Sequence, residues 1–246
     1  SNDHKIINIK MGRAFEFRKA RKMKRWSSMA KTFTRIGKDI VIAVKDGGPN
    51  PETNSKLRAV IQNAKTANMP KDNIQRAIKN ASEKNTENYK EIVLEGYGPH
   101  GIAVIVDCTT DNNNRTVANV RSYFNKTSGN LGTNGSVEYL FEKLCVFRVE
   151  MIEDYEELEF ELIDYGLEEL VVDKEENEII IYAAFESFGE IQSILEDKKI
   201  EIKSSEVEKL PKNTIVLDEK KKSEFENFLE MCEQVDDVQK IHHNCS

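Results

Sequence analysis

Long apolar runs are missing from this 246-residue chain. No stretch approaches the roughly 20 apolar residues that a membrane-spanning helix needs, so no membrane partner is expected. Cysteine is sparse and scattered: Cys108, Cys145, Cys232 and Cys245 form no CxxC pair. That argues against a zinc or redox motif and for free thiols in a reducing cytosol. No GxxxxGK[ST] segment occurs, which removes the P-loop ATPases and GTPases. No His/Ser/Asp set can be assembled for nucleophilic catalysis, and no carboxylate pair falls in an apolar setting. The chain reads as a non-enzyme without cofactor or metal. A secretory apolar region is also lacking, so a cytoplasmic location is expected. Residues 1–10, opening Ser-Asn ahead of Met11, read as a tag or leader outside the fold.

Acidic residues are scarce in one region only. Residues 1–85 hold 20 of the 36 Lys and Arg but 7 of the 43 Asp and Glu, a net of +13. The remainder carries −20, and the two sum to the overall −7. The sequence pI of about 5.4 hides this division. Crowded like charges destabilise a fold unless a partner of opposite sign offsets them. Nucleic acid is the natural candidate, because its phosphates release counterions when Lys and Arg replace them.

The basic region is helical in pattern. Arg13 to Trp26 is dense in Arg, Lys and Ala. A helix capped at Ser27 or Ser28 then places Met29, Phe33, Ile36, Ile40 and Val44 on one stripe and stops at Gly47-Gly48. Asn50-Pro51 signals a third helix, with Leu57, Val60, Ile61 and Ala64 inward. After the turn Asn68-Met69-Pro70 a fourth buries Ile74, Ala77, Ile78 and Ala81. Beyond the polar hinge 82–88 the period changes. Strands are expected at 89–95 and 102–107, a helix at 114–126 and a loop at 127–135. A βαββαβ order follows: strand 144–149, helix 155–165, strands 170–172 and 179–182, helix 191–198 and strand 200–204. This is the ferredoxin-like split βαβ. Strand 214–217, helix 223–233 and strand 238–242 lack partners of their own and would complete the sheet begun at 89–107. The predicted fold class is α+β: an N-terminal helical bundle followed by two α/β domains, the third inserted into the second. The expected bounds are 11–85, 86–131 plus 210–246, and 132–209.

Gly96-Tyr97-Gly98-Pro99-His100-Gly101 matches GxGxxG, yet Ile102 to Val106 continues as strand where a dinucleotide site needs a helix. It reads as a glycine hairpin. His242, His243 and Cys245 invite a metal reading but lack a second ligand pair. The serious candidates are cations. Arg13, Arg18, Lys19, Arg21, Lys22, Lys24 and Arg25 fall within thirteen residues and end on Trp26, which can stack on a base or pack in the bundle. Lys31, Arg35, Lys38 and Lys45 line the polar side of the next helix. Arg58 and Lys65 add to the third helix, and Lys71, Arg76 and Lys79 to the fourth. Arg115 and Arg121, on the helix after the Asn-rich turn 112–114, would extend the track.

Four stretches resemble the YebC family: Asn68-Met-Pro-Lys-Asp-Asn-Ile-Gln-Arg-Ala-Ile-Lys79, Glu95-Gly-Tyr-Gly-Pro-His-Gly-Ile-Ala-Val-Ile-Val106, Thr110-Asp-Asn-Asn-Asn-Arg-Thr-Val-Ala118, and Gly129-Asn-Leu-Gly132 with Gly135-Ser-Val-Glu-Tyr-Leu-Phe-Glu142. The likeness runs from Met11 to near the end. It implies a helical domain plus two α/β domains, one inserted in the other, in a cytoplasmic, non-enzymatic regulator of gene expression. Bacterial members are described as DNA-binding transcriptional regulators. Mitochondrial relatives activate translation of cytochrome oxidase, and some bacterial members associate with ribosomes. Two departures stand out. Gly12-Arg-Ala-Phe-Glu-Phe17 replaces the usual His-Ser-Lys-Trp opening, and Ser128 replaces a usual glycine. The leading expectation is a DNA-binding transcriptional regulator. The alternatives are a translation factor on ribosomal RNA or the ribosome, and a scaffold whose basic head docks on an acidic protein.

Overall fold

A computed structural model describes residues 29–83 and 88–246. The expected leader and the expected helix over Arg13 to Trp26 lie outside these residues. The rest falls into two compact units. One runs to Glu142 and resumes at Lys209–Ser246; the other is Lys143–Glu208, inserted between the two parts of the first.

The first unit opens with three helices, α1 (Met29–Gly47), α2 (Ser55–Thr66) and α3 (Lys71–Glu83). Their apolar stripes meet in a core of Ile36, Ile40, Ala43, Val44, Leu57, Ala64, Met69, Ile74 and Ala81. The expected Asn50-Pro51 signal starts only a short 3-10 turn, Pro51–Thr53, and the α-helix is capped by Asn54. Asn54 wins because burial lets its whole amide bond. Its Oδ1 accepts from the Leu57 N–H at 3.0 Å, and its Nδ2 donates to the Ala43 and Gly48 carbonyls, both at 2.8 Å. Each such bond contributes about 1 kcal/mol and would cost more if left unmade.

Helix α2 ends in a Schellman turn: the Met69 N–H reaches the Ala64 carbonyl at 2.9 Å and the Asn68 N–H reaches Lys65 at 3.0 Å. Asn68 takes the left-handed conformation the turn requires, with φ of 60°, and Met69 drops into the core. The same closure ends two later helices, with Ser128 and Lys199 in the left-handed position.

After the helices come β1 (Lys90–Tyr97), β2 (Ala103–Thr110), α4 (Asn113–Lys126) and β3 (Asn130–Leu131). Next are β4 (Phe141–Glu150), α5 (Tyr155–Leu162), β5 (Leu167–Asp173), β6 (Glu178–Ala184), α6 (Phe188–Asp197) and β7 (Ile202–Pro211). The chain closes with α7 (Glu219–Glu233) and β8 (Val238–His243). The first unit's sheet has the order β3-β1-β2-β8, with β1–β2, β1–β3 and β2–β8 all antiparallel. One face packs on α4 and α7 through Val104, Val106, Phe124, Phe225 and Phe228. The other packs Ala103 and Ile105 on Val137 and Phe141. Burial on both faces explains why Ile102 to Val106 is apolar without alternation.

Two expectations are corrected here. The glycine-rich stretch 127–135 contains strand β3, which its composition conceals. Gly96 and Gly129 allow it to approach: a Cβ on Gly96 would lie 2.3 Å from the Asn130 carbonyl oxygen, and one on Gly129 2.6 Å from that of Tyr97. Conversely, 214–217 is no strand; Ile215 makes one parallel bridge to Cys245 before Asp218 caps α7.

In the inserted unit the sheet order is β5-β6-β4-β7, with one helix after the first strand and one before the last, as the split βαβ pattern requires. Phe147, Val149, Leu158, Leu162, Ile179, Ile181, Ile191 and Leu195 form its core. Its buried Glu178 is held by Arg148 through two 2.8 Å bonds.

A Gly96→Ala substitution is expected to cost about 3 kcal/mol or more, because backbone rather than a flexible side chain opposes the new methyl. Ser128→Gly, by contrast, should stabilise by up to about 1 kcal/mol by relieving a left-handed serine. Urea denaturation of the two variants checks both signs.

Candidate nucleic-acid interface

The cations of α1 face the protein. The final carbonyls of α7 lack intrahelical donors and carry the negative end of the helix dipole. Lys31 and Arg35 cap them: Lys31 Nζ donates to the Glu233 carbonyl at 3.1 Å and to Gln234 Oε1 at 2.7 Å, and Arg35 reaches the same carbonyl at 3.4 Å. One turn on, Lys38 Nζ uses its three donors on the Thr109 carbonyl (3.2 Å), the Asp236 carbonyl (2.8 Å) and Asp237 Oδ1 (3.0 Å). Gln239 closes the seam by donating to the Arg35 carbonyl and to Asp39, both at 2.9 Å. Lys45 donates to the Tyr89 carbonyl at 2.8 Å. The expectation that Arg35, Lys38 and Lys45 line a free polar face is therefore revised. The face opposite the apolar stripe is itself an internal contact surface.

Asp237 is the centre of this seam and is 6% exposed. Besides Lys38 it accepts from Arg115, whose Nη2 lies 3.0 Å from Oδ2, and from the Thr116 hydroxyl at 2.8 Å. Asn112 caps α4 by accepting from the Arg115 N–H at 3.0 Å, which aims both residues at the carboxylate. Arg115 also pairs with Asp111 at 3.0 Å. The stretch Thr110 to Thr116 thus encloses a buried acid, and Arg115 is engaged rather than free. Burial by itself would raise the Asp237 carboxyl, but hydrogen bonds from Lys38, Thr116 and Arg115 hold it below the usual range. Nothing local in the sequence marks Asp237, because its partners are 122 and 199 residues away.

A second network lies within the first unit. Asp107 accepts from Lys209 Nζ and from His242 Nε2, each at 2.7 Å. The Lys209 N–H donates to His242 Nδ1 at 3.3 Å. Burial raises the Asp107 carboxyl; the His242 and Lys209 contacts outweigh it and lower the value to about 2. His243 Nδ1 accepts from the Cys245 N–H at 3.2 Å. Among the described residues no group of His, Cys, Asp or Glu is arranged to hold a metal.

Among the described residues of the helical head, the cations that remain outward lie on α2 and α3. Lys65, Lys71, Arg76 and Lys79 are all exposed. Lys65 sits in the last turn of α2 and Lys71 opens α3, so the turn between them is flanked by positive charge. Among the described residues no carboxylate pairs with Lys65, Lys71 or Arg76, while Lys79 has only a loose contact with Glu83 at 3.8 Å. Arg58 is half-buried and folded back onto the Pro51 and Glu52 carbonyls at 2.9 and 3.2 Å. Gln75 and Asn80 share the exposed side of α3 with Arg76 and Lys79. Such amides can read base edges, and the sequence reading missed them for want of a marked face. Arg121 is likewise exposed on α4. Arg13, Arg18, Lys19, Arg21, Lys22, Lys24, Arg25 and Trp26 lie outside the described residues.

Family models match nearly the whole chain: "TACO1/YebC protein N-terminal domain" over residues 13–84 and "TACO1/YebC second and third domain" over 89–245. A relative from Flavobacterium johnsoniae is 62% identical over 95% of this chain and 98% of its own length. One from Porphyromonas gingivalis is 52% identical over 95% and 97%. Each is described as a "Probable transcriptional regulatory protein". The crystal structure of a conserved hypothetical protein from Aquifex aeolicus aligns with a TM-score of 0.73 at 38% identity, over 90% of this chain and 91% of that one.

Asp237→Asn is expected to cost about 3 kcal/mol, since it leaves the ammonium of Lys38 without its charged partner. Denaturant titration measures that loss. Acid should act through Asp107 as well. Its folded value of about 2 lies below the ordinary 3.8, so its stabilisation is whole above about pH 4 and disappears as pH falls through 2. Asp107→Asn should flatten the acid limb of a stability–pH curve.

Proposed function

The chain belongs to the TACO1/YebC family, and from that premise we propose that it is a nucleic-acid-binding regulator of gene expression that acts on duplex DNA. The observation that carries this reading is the set of unpaired cations around the turn between α2 and α3. Solvated helix faces ordinarily mix signs, whereas here, among the described residues, Lys65, Lys71 and Arg76 form no ion pair, and Asp72 is the one exposed acid in the first turn of α3. Two helices joined by a short turn suit a helix-turn-helix contact. Lys65 and Lys71 would then meet phosphates while Gln75, Arg76 and Asn80 reach a groove. The basic segment from Arg13 to Arg25, with Trp26, would add backbone contacts. The cations bound into the Asp237 seam serve to hold the head on its α/β module. No helix among the described residues is long and apolar enough to cross a membrane.

A second reading, a translation factor on structured RNA, is favoured by one observation: exposed Arg121 on α4 carries positive charge onto the α/β module. A partner read by shape over two modules needs charge more than base readout.

Lys71→Glu combined with Arg76→Glu should abolish most duplex DNA binding in a fluorescence titration. Single Lys71→Ala should lower the slope of log K against log salt by about 1, as one phosphate contact requires. DNA affinity unchanged in the double variant would sink this assignment of the surface. Co-sedimentation with ribosomes, with no retention on DNA, would turn the reading to RNA.

A further inference from the structure

The sheet face turned away from α4 and α7 is only partly covered. Along β1 this face carries Glu91, Val93, Glu95 and Tyr97, by the two-residue alternation of a strand. Val93 is 44% exposed and Tyr97 39%, and Tyr139, hydrogen-bonded to Tyr97 through its side chain, is 63% exposed. Between them Glu95 is 3% exposed. Among the described residues its carboxylate has no hydrogen-bond or ionic partner, and Oε1 is wholly enclosed. A second orphan lies nearby. Ser136 Oγ is also enclosed and unpartnered, and a methyl on Gly132 would sit 2.7 Å from it and 3.5 Å from the Glu95 carbonyl oxygen. A buried carboxylate without a partner is one of the costliest arrangements a fold can hold. This one lies beside exposed aromatic rings.

The neighbouring backbone is open too. Strand β3 pairs only with Gly96 and Tyr97, and the Glu95 carbonyl accepts from Gly132 on that same side. By alternation, the N–H and C=O groups of Glu91 and Val93 point to an edge with no strand beside it among the described residues. Local charge selects the occupant. Glu91 and Glu138 are exposed around the patch and Glu95 lies within it, while the cationic groups across from Val93 on this face, Lys209 and His242, are already bound to Asp107, and Lys240 lies a further strand away on β8. Lys90 belongs to the opposite face. Phosphate would be repelled here. A guanidinium fits, offering several donors to the carboxylate and the hydroxyl and a flat face to the tyrosines.

We propose that this face docks an extended, arginine-bearing segment of a partner protein, added as a strand along β1 with one arginine bound to Glu95 beside Tyr97 and Tyr139. The proposal stands apart from the nucleic-acid reading, whose described cations lie on α2 and α3.

The test uses the full chain with a fluorescent peptide alternating Arg and Val, its Lys-for-Arg counterpart, and a labelled single-stranded RNA. The Arg peptide should bind about tenfold more tightly than the Lys peptide. Glu95→Gln should weaken it by about tenfold or more and Tyr139→Ala by about threefold. Hydrogen exchange should slow at the Glu91 and Val93 amides when the peptide is bound. In the absence of peptide, Glu95→Gln should raise Tm by a few degrees, because it removes an unpaired buried charge. Lys71→Glu with Arg76→Glu should leave peptide affinity unchanged, which separates this test from that of nucleic-acid binding. The proposal is overturned if neither peptide binds, or if binding ignores Glu95→Gln. A lowered Tm in Glu95→Gln would also overturn it, as would protection of β1 by RNA and not by peptide.

Discussion

Asp237 holds the first unit together. One carboxylate, 6% exposed, gathers Lys38 from α1 and Arg115 and Thr116 from α4, and its own backbone carbonyl accepts from the Thr109 N–H at 2.9 Å. A charge so placed is tolerable only because every lone pair has a donor. The consequence runs outward. The helical head is registered on the sheet by ion pairs and caps as well as by apolar packing, so its orientation is specified by a few long-range polar contacts. Lys31 and Arg35 extend the same logic by finishing α7, a helix whose last turn has no basic residue of its own.

That arrangement divides the positive charge of the head into two populations. Cations on α1 are engaged internally, Lys31, Arg35 and Lys38 by the returning C-terminal segment and Lys45 by the Tyr89 carbonyl. Those around the α2–α3 turn keep their charge for solvent or a ligand. A surface left cationic in this way raises on-rates and affinity for a polyanion, and it does so in a salt-dependent manner. The acidic remainder contributes differently: Asp107, Asp237 and Glu178 are each saturated by basic partners. Glu95 breaks that rule, and the open edge of β1 beside it makes the exception meaningful.

Much of the architecture was legible because it rests on local periodicity. The stripe Ile36, Ile40, Val44 gave α1, and the continuous apolar run Ile102 to Val106 gave a strand buried on both faces. The spacing of elements from 144 to 204 gave the split βαβ. Strand β3 was hidden because two residues of pairing depend on Gly96 and Gly129 letting backbones touch, which no hydrophobic pattern records. Asn54 was passed over for Asn50 because proline advertises a helix start, while the buried amide that caps α2 is recognisable only once Ala43 and Gly48 are beside it.

For the site, composition alone established that the head is basic and that the last two-thirds are acidic, because counting charges needs no coordinates. The sequence by itself also determined the helices on which Lys65, Lys71, Arg76 and Lys79 stand. Which cations remain available was decided by tertiary structure alone. Lys38 and Lys71 are the same residue type on neighbouring amphipathic helices, yet one is saturated by Asp237, 199 positions away, and the other faces outward. Coulomb attraction and hydrogen bonding act through space, and only the folded chain brings those distant groups within 3 Å.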